Sequence, residues 1–218
     1  MTITLYRVDP YQKEFDASVT RVEPNFIVLD QTCFYPQGGG QAGDTGEISG
    51  HRVVNTISEG EEIRHITQGT PHHTSGQPVH GVINWERRLR IMRLHSASHL
   101  VYYAMQEVFG AGCKPASSGM LDEVKDRSDY IFNEPLDKTK LATVEEKVNH
   151  LITEALPITH NLEQGSGERL LWKVAPYPAM ACGGTHVHNT AEIGRINLKR
   201  GSKPGKGRER IELTLGQT

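Results

Sequence analysis

Cysteine is scarce in this sequence of 218 residues, and long apolar runs are missing from it. The three cysteines, Cys33, Cys113 and Cys182, are too few and too widely spaced for a disulfide framework, which favours a reducing, cytoplasmic setting. The sequence contains no run of about eighteen apolar residues and no basic segment followed by an apolar one at its start. We therefore expect neither a membrane span nor a secretory signal.

A large excess of charge of either sign is also missing, because the formal net charge is -2 at pH 7. Residues 199–218, here called the basic segment, nevertheless hold six cations against two acidic residues. The cations are Lys199, Arg200, Lys203, Lys206, Arg208 and Arg210. Glycines between them let the backbone approach a partner, so the segment is typical of phosphate contact. A purely solvated surface is the simpler interpretation of such a charge run.

Short strands and turns fill the first part of the chain. Alternating apolar residues and β-branched residues predict strands, and the turn at Glu23-Pro24-Asn25 separates two of them. The predicted strands are residues 3–7, 17–22, 26–30, 46–48, 52–58, 62–67 and 78–84. Strands this short at such regular spacing predict a small barrel or sandwich at residues 1–86.

One passage in this region, residues 32–46, does not resemble an ordinary strand, and we call it the glycine-rich motif. Its three consecutive glycines, Gly38, Gly39 and Gly40, allow unusual backbone angles and a close approach of a ligand or another chain. A flexible surface turn is the alternative. Against that alternative, the motif concentrates several polar side chains, namely Thr32, Tyr35, Gln37, Gln41 and Asp44.

Residues 85–109 are predicted to form a helix that presents His95 and His99 from one face, because side chains four residues apart are neighbours on a helix. A second helix is expected from Asp137 to about Leu156. Strands are expected at residues 120–124, 129–132 and 158–163, with a short helix at 167–174. Residues 193–199 and 209–215 are predicted to close the chain as a hairpin. Helices mixed with hairpins indicate an α+β fold.

Four residues from two distant places form a plausible tetrahedral zinc set: His95, His99, Cys182 and His186. Two glycines between Cys182 and His186 permit a tight loop that directs both toward one point. Ser96 follows His95, so the H-E-x-x-H signature of zincin peptidases is absent. His188 is an alternative to His186. The remaining histidines, including His65 and His160, are expected to be exposed or satisfied locally. Whether the zinc is structural or catalytic stays open.

Four motifs in consistent order carry a family resemblance: the glycine-rich motif, H-S-A-S-H, C-G-G-T-H, and the ending from Glu192 to Glu212. Together they resemble the editing domain of alanyl-tRNA synthetase and, more closely, the freestanding AlaX proteins of medium length. The resemblance implies a small β-barrel at residues 1–86 followed by a zinc-binding α/β sandwich editing domain at 87–218, as in the editing domains of threonyl- and alanyl-tRNA synthetases.

The resemblance further implies a cytoplasmic, ATP-independent hydrolase that deacylates tRNA(Ala) mischarged with serine, with glycine as a further candidate. In that family His95, His99, Cys182 and His186 would bind one zinc ion. Thr32 and Gln41 would act at the catalytic pocket. The substrate and its tRNA would meet Gly38, Gly39 and Gly40 together with Lys199, Arg200, Lys203, Lys206, Arg208 and Arg210. The sequence leaves the choice between monomer and dimer open.

Two other functions are compatible with the same residues. A non-catalytic, zinc-stabilised module would bind tRNA through the basic segment with a steep salt dependence and would cleave no ester. A metal-dependent hydrolase of a small acylated compound would turn over without RNA.

Overall fold

The computed structural model describes residues 2–163, 169–202, 204–205 and 207–216, and it divides into two compact units, Met1–Leu89 and Arg90–Thr218. We call them the N-terminal and the C-terminal unit. The division falls inside helix α1, Trp85–Phe109. Sheets and helices are both present, so the mixed α+β class expected from the sequence is confirmed.

The N-terminal unit is built from strands, and its pairing order is that of a closed barrel. In chain order the strands are β1 (Ile3–Thr4), β2 (Glu14–Glu23), β3 (Phe26–Leu29), β4 (Gln31–Thr32), β5 (Gly46–Ile48), β6 (His51–Glu59), β7 (Glu62–Thr67) and β8 (Pro78–Ile83). The closed order β2-β3-β7-β6-β5-β8 is antiparallel throughout, and β8 returns to pair with β2. The short strands β1 and β4 pair in parallel outside this ring.

Buried and exposed residues alternate along the strands of this unit, and the buried ones form its core. Phe15, Ala17 and Val19 are buried on β2 while their neighbours Glu14 and Asp16 are exposed. The remaining core side chains come from the other strands: Ile27, Leu29, Cys33, Phe34, Ile48, Val53, Val79 and Ile83. The predicted strands are confirmed with small shifts of their ends. One of them is wrong in part, because Leu5–Arg7 forms a 3-10 turn after β1.

Helix α1 is buried on most of its circumference between Ile91 and Met105, so it cannot be amphipathic in the ordinary sense. Leu94, Ala97 and Ala104, which recur at helical spacing, are buried. The polar side chains His95 and Ser96 are buried as well, and the site described below accounts for them.

Among the residues that the structure describes, two antiparallel sheets and one further α-helix complete the C-terminal unit. Their elements are β9 (Cys113–Ser118), β10 (Asp126–Phe132), α2 (Lys138–Thr153), β11 (Thr159–Leu162), β12 (Leu170–Lys173), β13 (Met180–Ala181), β14 (Ile196–Arg200) and β15 (Arg208–Leu215). The sheets have the orders β14-β15-β10-β9 and β11-β12-β13. Asp137 caps α2, because its carboxylate accepts from the backbone N–H groups of Thr139 and Lys140.

Two sequence predictions for this unit are wrong. The expected helix at 167–174 is strand β12 at Leu170–Lys173, held between β11 and β13, and residues 167 and 168 lie outside the described chain. The expected strand at 120–124 is a turn, in which Asp122 accepts from the backbone of Val124 and Lys125. The hairpin of β14 and β15 is confirmed. Within the described residues, no helix has both the length and the apolar character needed to cross a membrane.

Candidate metal centre and glycine-rich motif

Helix α1 supplies the first half of a candidate metal centre. His95 and His99 lie one turn apart, and their imidazole rings are stacked with centroids 5.0 Å apart. The loop that follows β13 supplies the second half, Cys182 and His186. The His186 ring lies 4.3 Å from the His95 ring and 5.0 Å from the His99 ring, measured between centroids. The four predicted ligands are therefore brought together.

The ligand atoms of these four residues, here called the His/Cys cluster, converge on one small volume. They all lie within 4.8 Å of one another. The Sγ atom of Cys182 is 3.5 Å from Nε2 of His95 and 3.2 Å from Nε2 of His186. One thiol and three imidazoles form a donor set that suits zinc among the common protein metals. His188, the alternative ligand, is exposed and is not in the cluster.

The cluster contains a buried polar atom that protein groups leave unsatisfied. Nε2 of His99 is buried and has no hydrogen-bond partner among the described residues. A buried nitrogen in this state destabilises a protein by about 1–3 kcal/mol. A cation at the centre of the cluster would satisfy it, so the residues present fit a bound metal ion.

Burial also sets the protonation of the cluster in the absence of a cation. It lowers the pKa of His95 to about 4, and it lowers the pKa values of His99 and His186 well below the ordinary range. All three imidazoles are therefore neutral at pH 7, as metal ligation requires. Burial raises the pKa of the Cys182 thiol to about 11, so only a nearby positive charge makes the thiolate stable there.

Two further side chains contact members of the His/Cys cluster, and neither was assigned a role from the sequence. Oγ of Ser96 lies 3.2 Å from Nδ1 of His186 and accepts a hydrogen bond from the backbone N–H of Val187. His160 contacts the carbonyl oxygen of Cys182 through Nε2 at 2.7 Å. Such contacts fix the tautomer and direction of a ligand. The position of Ser96 directly after His95 on the predicted helix was the signal in the sequence that could have indicated this contact.

In the N-terminal unit the glycine-rich motif divides into an exposed turn and a buried polar part. Gly39 and Gly40 have φ angles of +55° and +87°, which favour glycine, and they close a turn in which the backbones of Gly38 and Gln41 bond each other. Gly38 and Gly39 are exposed, whereas Thr32 and Gln41 are buried.

Asp44 anchors this motif through a buried ion pair. The Nε atom of Arg88 is 3.0 and 2.9 Å from the two carboxylate oxygens of Asp44, and both side chains are almost fully buried. Asp44 also accepts a hydrogen bond from the backbone N–H of Tyr35 at 2.6 Å. Arg88 donates further to the Cys33 carbonyl at 2.7 Å. The pair therefore fixes the backbone on both sides of the turn.

Thr32 is completely buried and hydrogen-bonded on two sides. Its Oγ1 atom is 2.8 Å from Nε2 of His65 and accepts from the backbone N–H of Phe34 at 3.0 Å. His65, expected from the sequence to be exposed or satisfied locally, is fully buried and bonds groups distant in the chain. No local sequence signal distinguishes it from the other histidines.

Most described cations of the basic segment are paired. Arg200 forms an ion pair with Glu209, and Arg210 forms one with Asp129. Nζ of Lys199 lies 3.4 Å from Oε2 of Glu212. Arg208 is exposed and forms no ion pair within the described residues. Lys203 and Lys206 lie outside those residues. The charge count of the segment overlooked Asp129, which β10 places opposite Arg210.

Comparison with known proteins places this sequence in a family. Residues 4–87 match the family described as tRNA synthetases class II (A), and residues 173–212 match the threonyl and alanyl tRNA synthetase second additional domain. An alanyl-tRNA editing protein, AlaX-M, from Pyrococcus horikoshii is 35% identical over 99% of this chain and 98% of its own length. The chain belongs to the alanyl-tRNA editing protein family.

A second member of the editing protein family, AlaX-M of Saccharolobus solfataricus, is 36% identical over 99% of both chains. The alanine–tRNA ligase of Ignicoccus hospitalis is 34% identical over 99% of this chain but only 26% of the ligase. The chain thus spans about a quarter of the length of the ligases it matches. The family resemblance inferred from the four motifs is confirmed.

Proposed function

We propose that this protein is a zinc-containing aminoacyl-tRNA deacylase that hydrolyses the ester of mischarged tRNA(Ala), chiefly Ser-tRNA(Ala). The observation that carries the proposal is the His/Cys cluster, found in a chain whose full-length relatives are alanyl-tRNA editing proteins. The setting that such an activity implies is the cytoplasm.

Zinc would be held by Nε2 atoms of His95, His99 and His186 and by Sγ of Cys182. With Nε2 of His186 bound to the ion, Nδ1 would carry the ring proton and would donate to Oγ of Ser96, 3.2 Å away. A zinc ion supplies positive charge, which stabilises the Cys182 thiolate and attracts electron-rich groups of a substrate. His160, bonded to the carbonyl of Cys182, holds the ligand loop in place.

Thr32 and Gln41 are proposed to line the pocket for the amino acid. A synthetase pocket built for alanine rejects serine only weakly, by about 10²-fold, because it cannot strongly exclude an isostere with one more hydroxyl. A site that hydrogen-bonds this hydroxyl can prefer serine by about 10⁴-fold or more. Thr32 offers a hydroxyl for that purpose, and its partners fix its position.

The exposed turn of Gly38, Gly39 and Gly40 and the cations of the basic segment are proposed to contact the acceptor end of the tRNA. Pairing of Arg200 and Arg210 with carboxylates reduces the net charge available for this contact. A function as a purely electrostatic tRNA-binding module is for that reason the weaker alternative.

The test is a deacylation assay on the purified, zinc-loaded protein with Ser-tRNA(Ala) and Ala-tRNA(Ala). We expect rapid release of serine and slow release of alanine. Equal rates on both substrates, or binding without release, would remove the editing activity. Loss of serine release on chelation, with recovery on zinc addition, would support the metal requirement.

A further inference from the structure

We propose that His65 is a positioning residue that commits the proton of the Thr32 hydroxyl, so that Thr32 meets its substrate only as a hydrogen-bond acceptor and selects a serine side chain over both alanine and glycine. This inference rests on the proposed function, because it assigns Thr32 to the amino-acid pocket. It adds a residue on β7 that no family motif in the sequence singled out.

The direction of the hydrogen bonds follows from the chemistry of the partners. Nδ1 of His65 is 3.0 Å from the carbonyl oxygen of Ile27, and a carbonyl oxygen can only accept. Nδ1 therefore carries the ring proton. In a neutral imidazole the other nitrogen is then an acceptor. Nε2 of His65, 2.8 Å from Oγ1 of Thr32, receives the hydroxyl proton of Thr32.

The neutral state of His65 is secured by its surroundings. Burial is the main cause that lowers the pKa of His65 to about 4, since the side chain is fully buried. The Phe34 ring stands edge-on to the imidazole at 5.1 Å between centroids, which limits rotation of the ring. A protonated ring would donate from Nε2 and would reverse the Thr32 hydrogen bond. Near pH 7 that reversal is unfavourable.

The oxygen of Thr32 then has a fixed remaining capacity. A hydroxyl oxygen offers one proton and two lone pairs. The hydroxyl proton of Thr32 is donated to Nε2 of His65, and one lone pair accepts a hydrogen bond from the backbone N–H of Phe34 at 3.0 Å. One lone pair remains. Because Thr32 and His65 are both buried, water does not compete for this arrangement.

A substrate group that meets the remaining lone pair of Thr32 Oγ1 must donate a hydrogen bond. The hydroxyl of a serine side chain can do so, whereas the methyl group of alanine and the hydrogen of glycine cannot. A pocket built only on size would admit glycine more easily than serine. Because Thr32 can only accept a hydrogen bond from the substrate, serine should be preferred to both alanine and glycine. This preference distinguishes the proposed hydrogen bond from selection by size alone.

The kinetic test compares the hydrolysis of Ser-, Gly- and Ala-tRNA(Ala) by wild-type protein, His65→Leu and His65→Gln. Leucine removes the acceptor, so serine hydrolysis should fall by about 10- to 100-fold while glycine and alanine hydrolysis change little. Glutamine offers an amide oxygen near Nε2 and should restore most of the serine preference. Thr67→Val is the matched control, because Thr67 is buried on the same strand and its hydroxyl donates to the Gly69 carbonyl.

A spectroscopic readout keeps the test informative where His65→Leu folds poorly. Nitrogen-15 NMR of the His65 ring should report protonated Nδ1 and unprotonated Nε2, and Thr32→Val should shift only the Nε2 resonance strongly. A ring protonated on Nε2 would overturn the inference. So would a folded His65→Leu variant that keeps the full serine preference. A wild-type protein without serine preference would instead overturn the proposed function, whatever tautomer His65 shows.

Discussion

The ring nitrogens of His65 in the N-terminal unit and of His99 in the C-terminal unit are satisfied in opposite ways. In the N-terminal unit His65 bonds Thr32 and the Ile27 carbonyl, so both of its ring nitrogens have protein partners. In the C-terminal unit Nε2 of His99 is buried and has no partner among the described residues. Because an unpaired buried nitrogen is unfavourable, the first arrangement is complete without a ligand and the second is not. The difference separates a histidine that we propose to position its neighbour from one that we propose to bind a metal ion.

The strongest test of this difference is the removal of a ligand from the incomplete site. Cys182→Ala should abolish zinc binding at equimolar metal and reduce serine release from Ser-tRNA(Ala) by more than about 100-fold, because it leaves three neutral imidazoles without an anionic partner. Metal content by mass spectrometry and deacylation rate are the measurements.

Cys113→Ala is the matched control for this variant, because Cys113 is a free cysteine of the C-terminal unit that lies outside the His/Cys cluster. It should keep both zinc and activity. Full activity in zinc-free Cys182→Ala would show that the cluster is not needed for the reaction.

The buried ion pair of Asp44 and Arg88 provides the next test, in the N-terminal unit. Asp44→Asn leaves the buried guanidinium of Arg88 without its counter-charge and should lower the free energy of unfolding by about 3–5 kcal/mol. The partly exposed pair of Arg21 and Glu62 provides the control, since Glu62→Gln should cost less than about 1 kcal/mol. Urea unfolding measures both. Equal losses would contradict the role assigned to burial.

The pH dependence of stability sharpens the comparison at His65. Its pKa is about 4 in the folded state and about 6.5 in an unfolded chain, so the unfolded state binds the extra proton as the pH falls below 6.5. Between pH 7 and pH 5 this residue should remove about 2 kcal/mol of stability. The wild-type protein should therefore lose that much more than His65→Gln over the same interval. Parallel pH profiles would mean that His65 titrates normally.

The smallest expected effect concerns two arginines, one without an ion pair and one with an ion pair. Arg208 is exposed without an ion pair in the described part of the chain, whereas Arg200 bonds Glu209. Arg208→Ala should lower the salt slope of tRNA(Ala) binding by about 1, and Arg200→Ala by clearly less. Fluorescence anisotropy over a salt series measures this slope. The opposite ranking would contradict a contribution of the unpaired cation.

The strands of the N-terminal unit and helix α1 were predictable, because alternation and helical spacing are local properties that the sequence displays directly. Strand β12 was not, since a strand of four residues between two partners carries too little pattern to distinguish it from a helix turn. The turn at Asp122 was missed because its side chain replaces strand pairing with local hydrogen bonds.

The convergence of His95, His99, Cys182 and His186 was also foreseen, because ligand types and spacing are visible in the sequence. The environment of His65 was not, because it depends on which residues β3, β4 and β7 bring together. The pairing of Arg210 with Asp129 was missed for the same reason, since the two residues are partners only through the register of β10 and β15. Long-range register is the information that the local pattern lacks.

X-ray absorption spectroscopy of the purified protein tests the central claim most directly, because it reports the atoms around a bound metal. We predict one zinc per chain with one sulfur at about 2.3 Å and three nitrogens at about 2.0 Å. The sulfur should vanish from the spectrum of any metal bound to Cys182→Ala. Zinc bound without sulfur in the wild-type protein, or no zinc at all, would contradict the account.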